Sequence, residues 1–253
     1  MHNNHRTRLS YYKQIYNFEF LIAQFAHPTW LEDIPVPAKL ARDAKSTLAF
    51  QSQLLLQNNP NLEKANSTEQ AVLQFIASLP DAKFNRFLNY LVLSFLKNDK
   101  SLLINGAKLK KLSQFFSVEE MEFLLHEKEV KIKLRDRLVQ DSNIEINEFF
   151  LVGIAFQVLK KLCGNTSLFE RLKYRFPKYL SENQNTNLNF DMDAQTNFQC
   201  ISTIAQALFQ NTFSILESEE IIHLTPADEK VVQNKNTLAN TENAYKIPSV
   251  HES

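Results

Sequence analysis

Apolar residues recur at three- and four-residue intervals along most of the first 216 positions. From Leu9 to Phe25 they fall at Tyr12, Ile15, Tyr16, Phe18, Leu21, Ile22 and Phe25, the spacing of an amphipathic helix. His27-Pro28 ends that run, because the residue before a proline is pushed out of the helical region. Trp30, Leu31, Ile34, Pro35 and Pro37 make 26–37 a hydrophobic, proline-punctuated connector. A second helix is predicted over 38–57 on Leu40, Ala44, Leu48, Leu55 and Leu56, and Asn58-Asn59-Pro60-Asn61 breaks it. A third starts at Ser67, where Ser67-x-x-Gln70 has capping-box form, and carries Val72, Leu73, Phe75, Ile76 and Leu79. Pro80-Asp81 opens the next, whose Phe84, Phe87, Leu88, Leu91, Val92, Phe95 and Leu96 leave almost no polar face. Such a helix belongs at the centre of a core.

Asn105 is placed to cap a helix running through Phe116, and Ser117-x-x-Glu120 is a second capping box ahead of Met121, Phe123, Leu124 and Leu125. Val130, Ile132 and Leu134 alternate with Lys131, Lys133 and Arg135. That period fits a short strand over 130–138, or equally an extended connector. A strong apolar segment runs from Ile144 to Cys163, with Gly164-Asn165 as its stop. Leu168 to Phe176 reads as a short helix ended by Pro177, 181–189 as an Asn-rich loop, and 194–216 as the last clear helix. Thr225-Pro226-x-Asp228 offers a start for one more short helix, and beyond about 232 the polar, aperiodic chain predicts disorder to Ser253. The asparagine content has no mechanism visible in the sequence. No internal repeat and no dividing linker is evident. The expectation is an all-α fold: a single mainly helical domain of about eight helices over 9–224. It has frayed residues 1–8, a short extended segment near 130–138 and a disordered polar tail over 225–253.

Composition narrows the function classes. The 253 residues hold only three glycines, Gly106, Gly153 and Gly164, where roughly 18 would be usual at about 7%. Phosphate-cradling loops and dinucleotide fingerprints need several closely spaced glycines, and no G-x-G occurs. Phenylalanine is in excess at 20, mostly at core spacing. The 28 Lys+Arg balance 28 Asp+Glu, unlike the strong basic excess of a dedicated nucleic-acid binder. Cys163 and Cys200 both lie in apolar helical contexts and read as reduced core thiols of a cytosolic protein. The N-terminal stretch lacks a signal-peptide apolar core, and no run of 18 apolar residues predicts a membrane span.

The sequence carries no recognised catalytic motif. His126 begins no H-E-x-x-H, since position 130 is valine, and G-x-S-x-G is absent. Carboxylate pairs such as Glu119/Glu120 and Glu219/Glu220 have the look of solvated helix faces. The reading is therefore not an enzyme, with no cofactor, no catalytic residue and no metal site. Lys108, Lys110 and Lys111, and the charges over 128–137, read as solvated faces. Arg171, Lys173, Arg175 and Lys178 are less balanced, because 171–178 holds no acid.

Three stretches together resemble a known family. FEFLIAQFAHPTWLEDIP at 18–35 runs an aromatic helix into a His-Pro-x-Trp-Leu step. FLNYLVLSFLKNDKSLLINGAKLKKLSQFFSVEEMEFLLHE at 87–127 holds two apolar helical stretches, a small-residue turn and a capped third helix. VGIAFQVLKKLCGNTSLFERLKYRFPKYL at 152–180 closes with Arg171-Leu172-x-x-Arg175-Phe176-Pro177. This order is similar to the SctK family of type III secretion systems (YscK, PscK, MxiK, OrgA), over roughly 15–180. The resemblance implies a largely helical, non-enzymatic cytosolic adaptor of the injectisome sorting platform. It would sit peripherally at the cytosolic face of the bacterial inner membrane. There it would link the ring protein SctD to the SctQ pods, and through SctQ to SctL and the ATPase, in support of secretion. The alternative class is a helical secreted effector or secretion chaperone. His27, Trp30, Arg171, Lys173, Arg175 and Lys178 are the candidate partner-interface residues. Trp30 either plugs the core or anchors a partner. Arg171 and Arg175 share a helical face and pair either with acids of SctD or SctQ or with internal carboxylates.

Overall fold

A computed structural model describes residues 2–59, 71–127, 129–135, 145–164, 166–182 and 190–218. Among these residues the chain is all-helical, with no β-strand. The α-helices are α1 (His2–Phe20), α2 (Ala44–Gln57), α3 (Ala71–Ala77), α4 (Asp81–Leu96), α5 (Lys100–Ile104) and α6 (Gly106–Leu112). After them come α7 (Val118–His126), α8 (Glu148–Cys163), α9 (Ser167–Leu172), α10 (Lys178–Glu182) and α11 (Ala194–Ser218).

Local chemistry sets most of these boundaries. Asp43, Asp99, Asn105, Ser117, Asn147 and Thr166 each accept a backbone N–H in the first turn of the helix that follows. This satisfies donors that a helix start leaves orphaned. The Ser117/Glu120 capping box is fully formed. Gly164 ends α8 at φ +60°, a conformation that costs a side-chain-bearing residue energy. With helix starts capped by side chains, few glycines are needed.

The helix α4 is the centre of the molecule, packed by α7, α8 and α11. Phe84, Phe87, Tyr90 and every residue from Leu91 to Leu96 are buried. Each large apolar side chain so placed contributes about 1.5–3 kcal/mol of transfer free energy. A second, smaller core gathers Ile22, Ala23, Leu55 and Tyr174, with Trp30, Leu31, Ile34, Leu48 and Leu56 around it.

Several boundaries differ from the sequence expectation. Residues 2–8 are not frayed, because α1 begins at His2. No proline or glycine interrupts 2–20, so each further residue adds a helical bond at little cost. The same helix stops at Phe20 instead of Phe25, and Ile22–Gln24 is a 3-10 turn. The cause is Ser52 on α2, whose Oγ takes the Ala23 N–H at 3.0 Å. Residues 38–43 form turns on Pro37, and Asp43 starts α2 afresh. The helix expected from 105 to Phe116 ends at Leu112, α5 precedes it, and α10 follows Pro177. The Ser67/Gln70 capping box, residues 136–138, the loop at 183–189, the turn at Thr225 and the tail over 225–253 lie outside the described residues.

Residues 129–135 form the extended connector, not a strand. Ile132 is fully buried, and its N–H donates to Ser94 O at 3.1 Å. Asn98 Nδ2 donates to Ile132 O at 2.8 Å. The buried Asn197 amide accepts from Lys133 N–H at 2.6 Å and donates to Lys133 O at 2.9 Å. Side-chain amides therefore supply the bonds that a neighbouring strand would give, which buried backbone requires. This also gives part of the asparagine content a mechanism.

Candidate interaction surface

The two outer motifs meet. His27-Pro28-Thr29-Trp30 lies along Tyr174–Lys178, joined by three long-range hydrogen bonds. His27 N–H donates to Tyr174 O at 2.7 Å, Trp30 Nε1 to Phe176 O at 2.8 Å, and Lys178 N–H to Thr29 Oγ1 at 3.0 Å. His27-Pro28 opens a 3-10 turn in which the His27 Nδ1 accepts the Thr29 N–H. That turn aims the indole of Trp30 across the edge of Tyr174, with centroids 4.6 Å apart. Trp30 is thus tied down on the small core and only partly exposed.

The basic set at 171–178 does not form one outward patch. Arg171 and Arg175 are both buried, and acids distant in sequence meet the cations. Arg175 Nη1 donates to Ala77 O at 2.7 Å and Leu79 O at 2.6 Å, and Nη2 to Asp81 Oδ1 at 2.8 Å. Its guanidinium lies 3.7 Å from the ring centroid of Phe84 and 5.4 Å from that of Phe25. Burial pulls its pKa down to about 10, against the raising effect of Asp81, so it stays charged at neutral pH. Burial also lowers the pKa of Arg171, and Glu19 opposes that shift.

Lys173 pairs with Glu170 one turn earlier. Burial works against that carboxylate, but the bonds from Lys173 and Asn59 outweigh it and lower its pKa. Lys178 reaches Asp33 at 2.7 Å and Glu182 at 3.8 Å. The absence of acids within 171–178 is therefore made good by Asp33 and Asp81 from elsewhere and by Glu170 alongside. Of the six candidates, His27, Trp30, Lys173 and Lys178 keep partial access, and Arg171 and Arg175 are buried.

A third buried cation escaped the sequence reading. Lys97 Nζ donates to Glu127 O at 2.6 Å and Val130 O at 3.0 Å, and sits 3.5 Å over Phe123. It closes the C-terminal end of α7. Burial pushes its pKa down to about 8, with Cys200 and Glu127 opposing. The unfolded chain holds that proton to about pH 10.4. Between these values the unfolded state binds more protons, so this group makes stability rise with pH. The buried Cys163 thiol and the partly buried Cys200 thiol pull the other way, because loss of hydration raises them to about 12 and about 11. The test is the difference between wild type and Lys97→Met. Urea midpoints from pH 7.5 to 10.5 should show a rise, on the order of 2 kcal/mol, that only the wild type carries. Parallel curves would mean that Lys97 does not titrate in this window.

Among the described residues, no group of three or more His, Cys, Asp or Glu side chains could hold a metal ion. No described helix is long and apolar enough to cross a membrane. No family model, curated protein or solved structure matches the chain.

Proposed function

We propose that this chain is a helical adaptor of the SctK type, joining an SctD-like ring protein to SctQ-like pods at the cytosolic face of an inner membrane. The observation that carries the reading is the seam between 27–30 and 174–178. Two of the three stretches that carry the family resemblance meet there, about 145 residues apart (Trp30 to Phe176 is 146), and build one unit. The seam makes both stretches part of the scaffold, as the resemblance implies for an adaptor. The buried cations support the same reading, since Arg175 and Lys97 serve backbone carbonyls and are not presented to a substrate.

The test is co-purification from a strain with a working injectisome. The full chain, tagged, should recover the SctQ-like and SctD-like proteins, and deletion of its gene should stop secretion. Recovery of neither partner overturns the reading. Appearance of the chain itself outside the cell would place it among the effectors instead.

A further inference from the structure

The cations around α5 and α6 fare differently from those of 171–178. Lys100, Lys108, Lys110 and Lys111 fall within a stretch, 100–118, that holds no Asp or Glu. At 171–178 the fold brings acids in from elsewhere. Here it brings Glu145 alone, which meets Lys111 at 3.1 Å. Lys100, Lys108 and Lys110 form no ion pair among the described residues. The adjoining acid, Asp99, turns its carboxylate onto the first turn of α5, where Oδ1 accepts the N–H groups of Ser101 and Leu102 at 2.9 and 3.2 Å. Lys100 and Lys110 are exposed, and Lys108 partly so.

An apolar tip stands among these lysines. Leu102 and Leu112 hold α5 and α6 to the core, with Leu103 and Leu109 packed against it. Ile104, at the corner between the two helices, is 85% exposed, more than any other large apolar side chain among the described residues. It lies one turn after Lys100, on the same face of α5. Asn105, Gly106 and Ala107 beside it are short and exposed. A Cβ on Gly106 would meet nothing within 4 Å, and its φ is not positive. Neither packing nor backbone conformation calls for glycine there. The corner is a bare knuckle, with an aliphatic tip clear of its neighbours and lysine stems around it.

This chemistry selects a partner. Lysine is a strongly hydrated point charge, and clusters of it are drawn to anionic lipid. Protein interfaces are depleted in lysine and anchor on aromatic residues and arginine set in pockets. Single-stranded nucleic acid is held by stacking on aromatic rings, whereas the tip here is an isoleucine. Two copies of the chain would bring lysines against lysines. An anionic bilayer uses both parts of the corner at once. The acyl boundary takes the apolar side chain, and the headgroups take ammonium groups carried on apolar stems.

We infer that the α5–α6 corner binds an anionic lipid surface. Ile104 enters the boundary between headgroups and acyl chains, and Lys100, Lys108 and Lys110 meet the headgroup phosphates. The inference rests on these four residues and stands apart from the adaptor reading.

The test is sedimentation of the purified full chain with vesicles. Vesicles of phosphatidylcholine and phosphatidylglycerol in a two-to-one ratio should carry the chain down, and pure phosphatidylcholine should not. A Lys100→Gln/Lys108→Gln/Lys110→Gln variant should bind about 10²-fold more weakly, at about fivefold for each lysine near an anionic surface. Ile104→Ser should weaken binding by about tenfold. It should keep the wild-type response to salt, whereas the triple variant should lose that response. Lys39→Gln/Arg42→Gln/Lys45→Gln removes the same charge from exposed residues elsewhere and should bind as the wild type does. All three variants change exposed or partly exposed side chains and should unfold at the wild-type temperature.

The inference is overturned if the chain stays in solution with the mixed vesicles, or if it sediments equally with pure phosphatidylcholine. It is equally overturned if the control at 39–45 weakens binding as much as the triple variant does. A triple variant that sediments like the wild type, but no longer recovers a protein that the wild type recovers from its cell, would also overturn it, since the lysines would then belong to a protein interface. If the vesicle results hold and neither an SctQ-like nor an SctD-like protein is recovered, the lipid surface stands and the adaptor reading falls.

Discussion

Arg175→Met should destabilise the protein by about 3 kcal/mol, the largest effect expected of any change at the 171–178 segment. The guanidinium donates to Ala77 O, on the last residue of α3, and to Leu79 O just beyond it. Methionine fills much of the volume between Phe25 and Phe84 but leaves both carbonyls without that donor. Each buried acceptor left unsatisfied costs about 1–3 kcal/mol, partly offset because a buried charge no longer has to be desolvated. Arg175→Lys should cost about 2 kcal/mol. It keeps the charge but loses the planar fork that serves two carbonyls and a carboxylate while stacking on a ring. Asp81→Asn should cost under about 1 kcal/mol, because that carboxylate is 74% exposed and surface ion pairs contribute little. Urea denaturation with an unchanged slope would measure all three. If Asp81→Asn proved as damaging as Arg175→Met, the ion pair and not the carbonyls would be what holds Arg175.

This ordering has a consequence for the seam. Arg175 fixes the end of α3 and the start of α4 against Phe176, whose carbonyl takes the Trp30 indole N–H. Loss of the guanidinium should therefore loosen the 27–30 turn as well. A role in partner binding can be assigned to His27, Trp30 or Lys178 only in variants that keep Arg175.

The helices were legible where their signals are local. Asn105 and Ser117 announce helix starts, Gly164 an end, and the unbroken apolar run of α4 its central place. What the sequence concealed was non-local backbone demand. Lys97, Arg175 and Asn197 all lie on the apolar register of their segments: Lys97 four after Leu93, Arg175 three after Leu172, Asn197 four before Ile201. Read singly, a cation or amide looks solvated. Read by register, each falls on a buried face, where it must have partners. Those partners, at 77, 79, 127, 130 and 133, are carbonyls or N–H groups that helix termination or the connector leaves open. Spacing can place the polar side chain inside but cannot say which carbonyl awaits it. The exposure of Tyr12 and Tyr16 on α1 was hidden for a related reason. Both match core spacing, and only the packing shows that they are left outside.

Asn197 carries the second large effect. Its side chain is fully buried and completes a two-way pairing with the backbone of Lys133, while Nδ2 also reaches Asp193 O at 2.8 Å. Asn197→Ala should cost about 2–3 kcal/mol, since both the N–H and the C=O of Lys133 lose their partner and a small void opens. Hydrogen exchange should rise most at Lys133 and, through the loosened connector, at Ile132. Asn197→Asp separates the two halves of the pairing. A carboxylate can still accept from Lys133 N–H but faces Lys133 O with no proton to give, inside a site that disfavours charge. At neutral pH it should be worse than alanine. Burial raises the pKa of such a carboxyl in the folded state, so the folded chain binds more protons than the unfolded one as pH falls. The aspartate variant should then regain stability on acidification relative to Asn197→Ala, as its protonated oxygen donates to Lys133 O. Parallel pH curves for the two variants would show that the connector does not depend on a donor at position 197. In that case the buried Ile132 side chain, not the amide pairing, would be what keeps 129–135 in place.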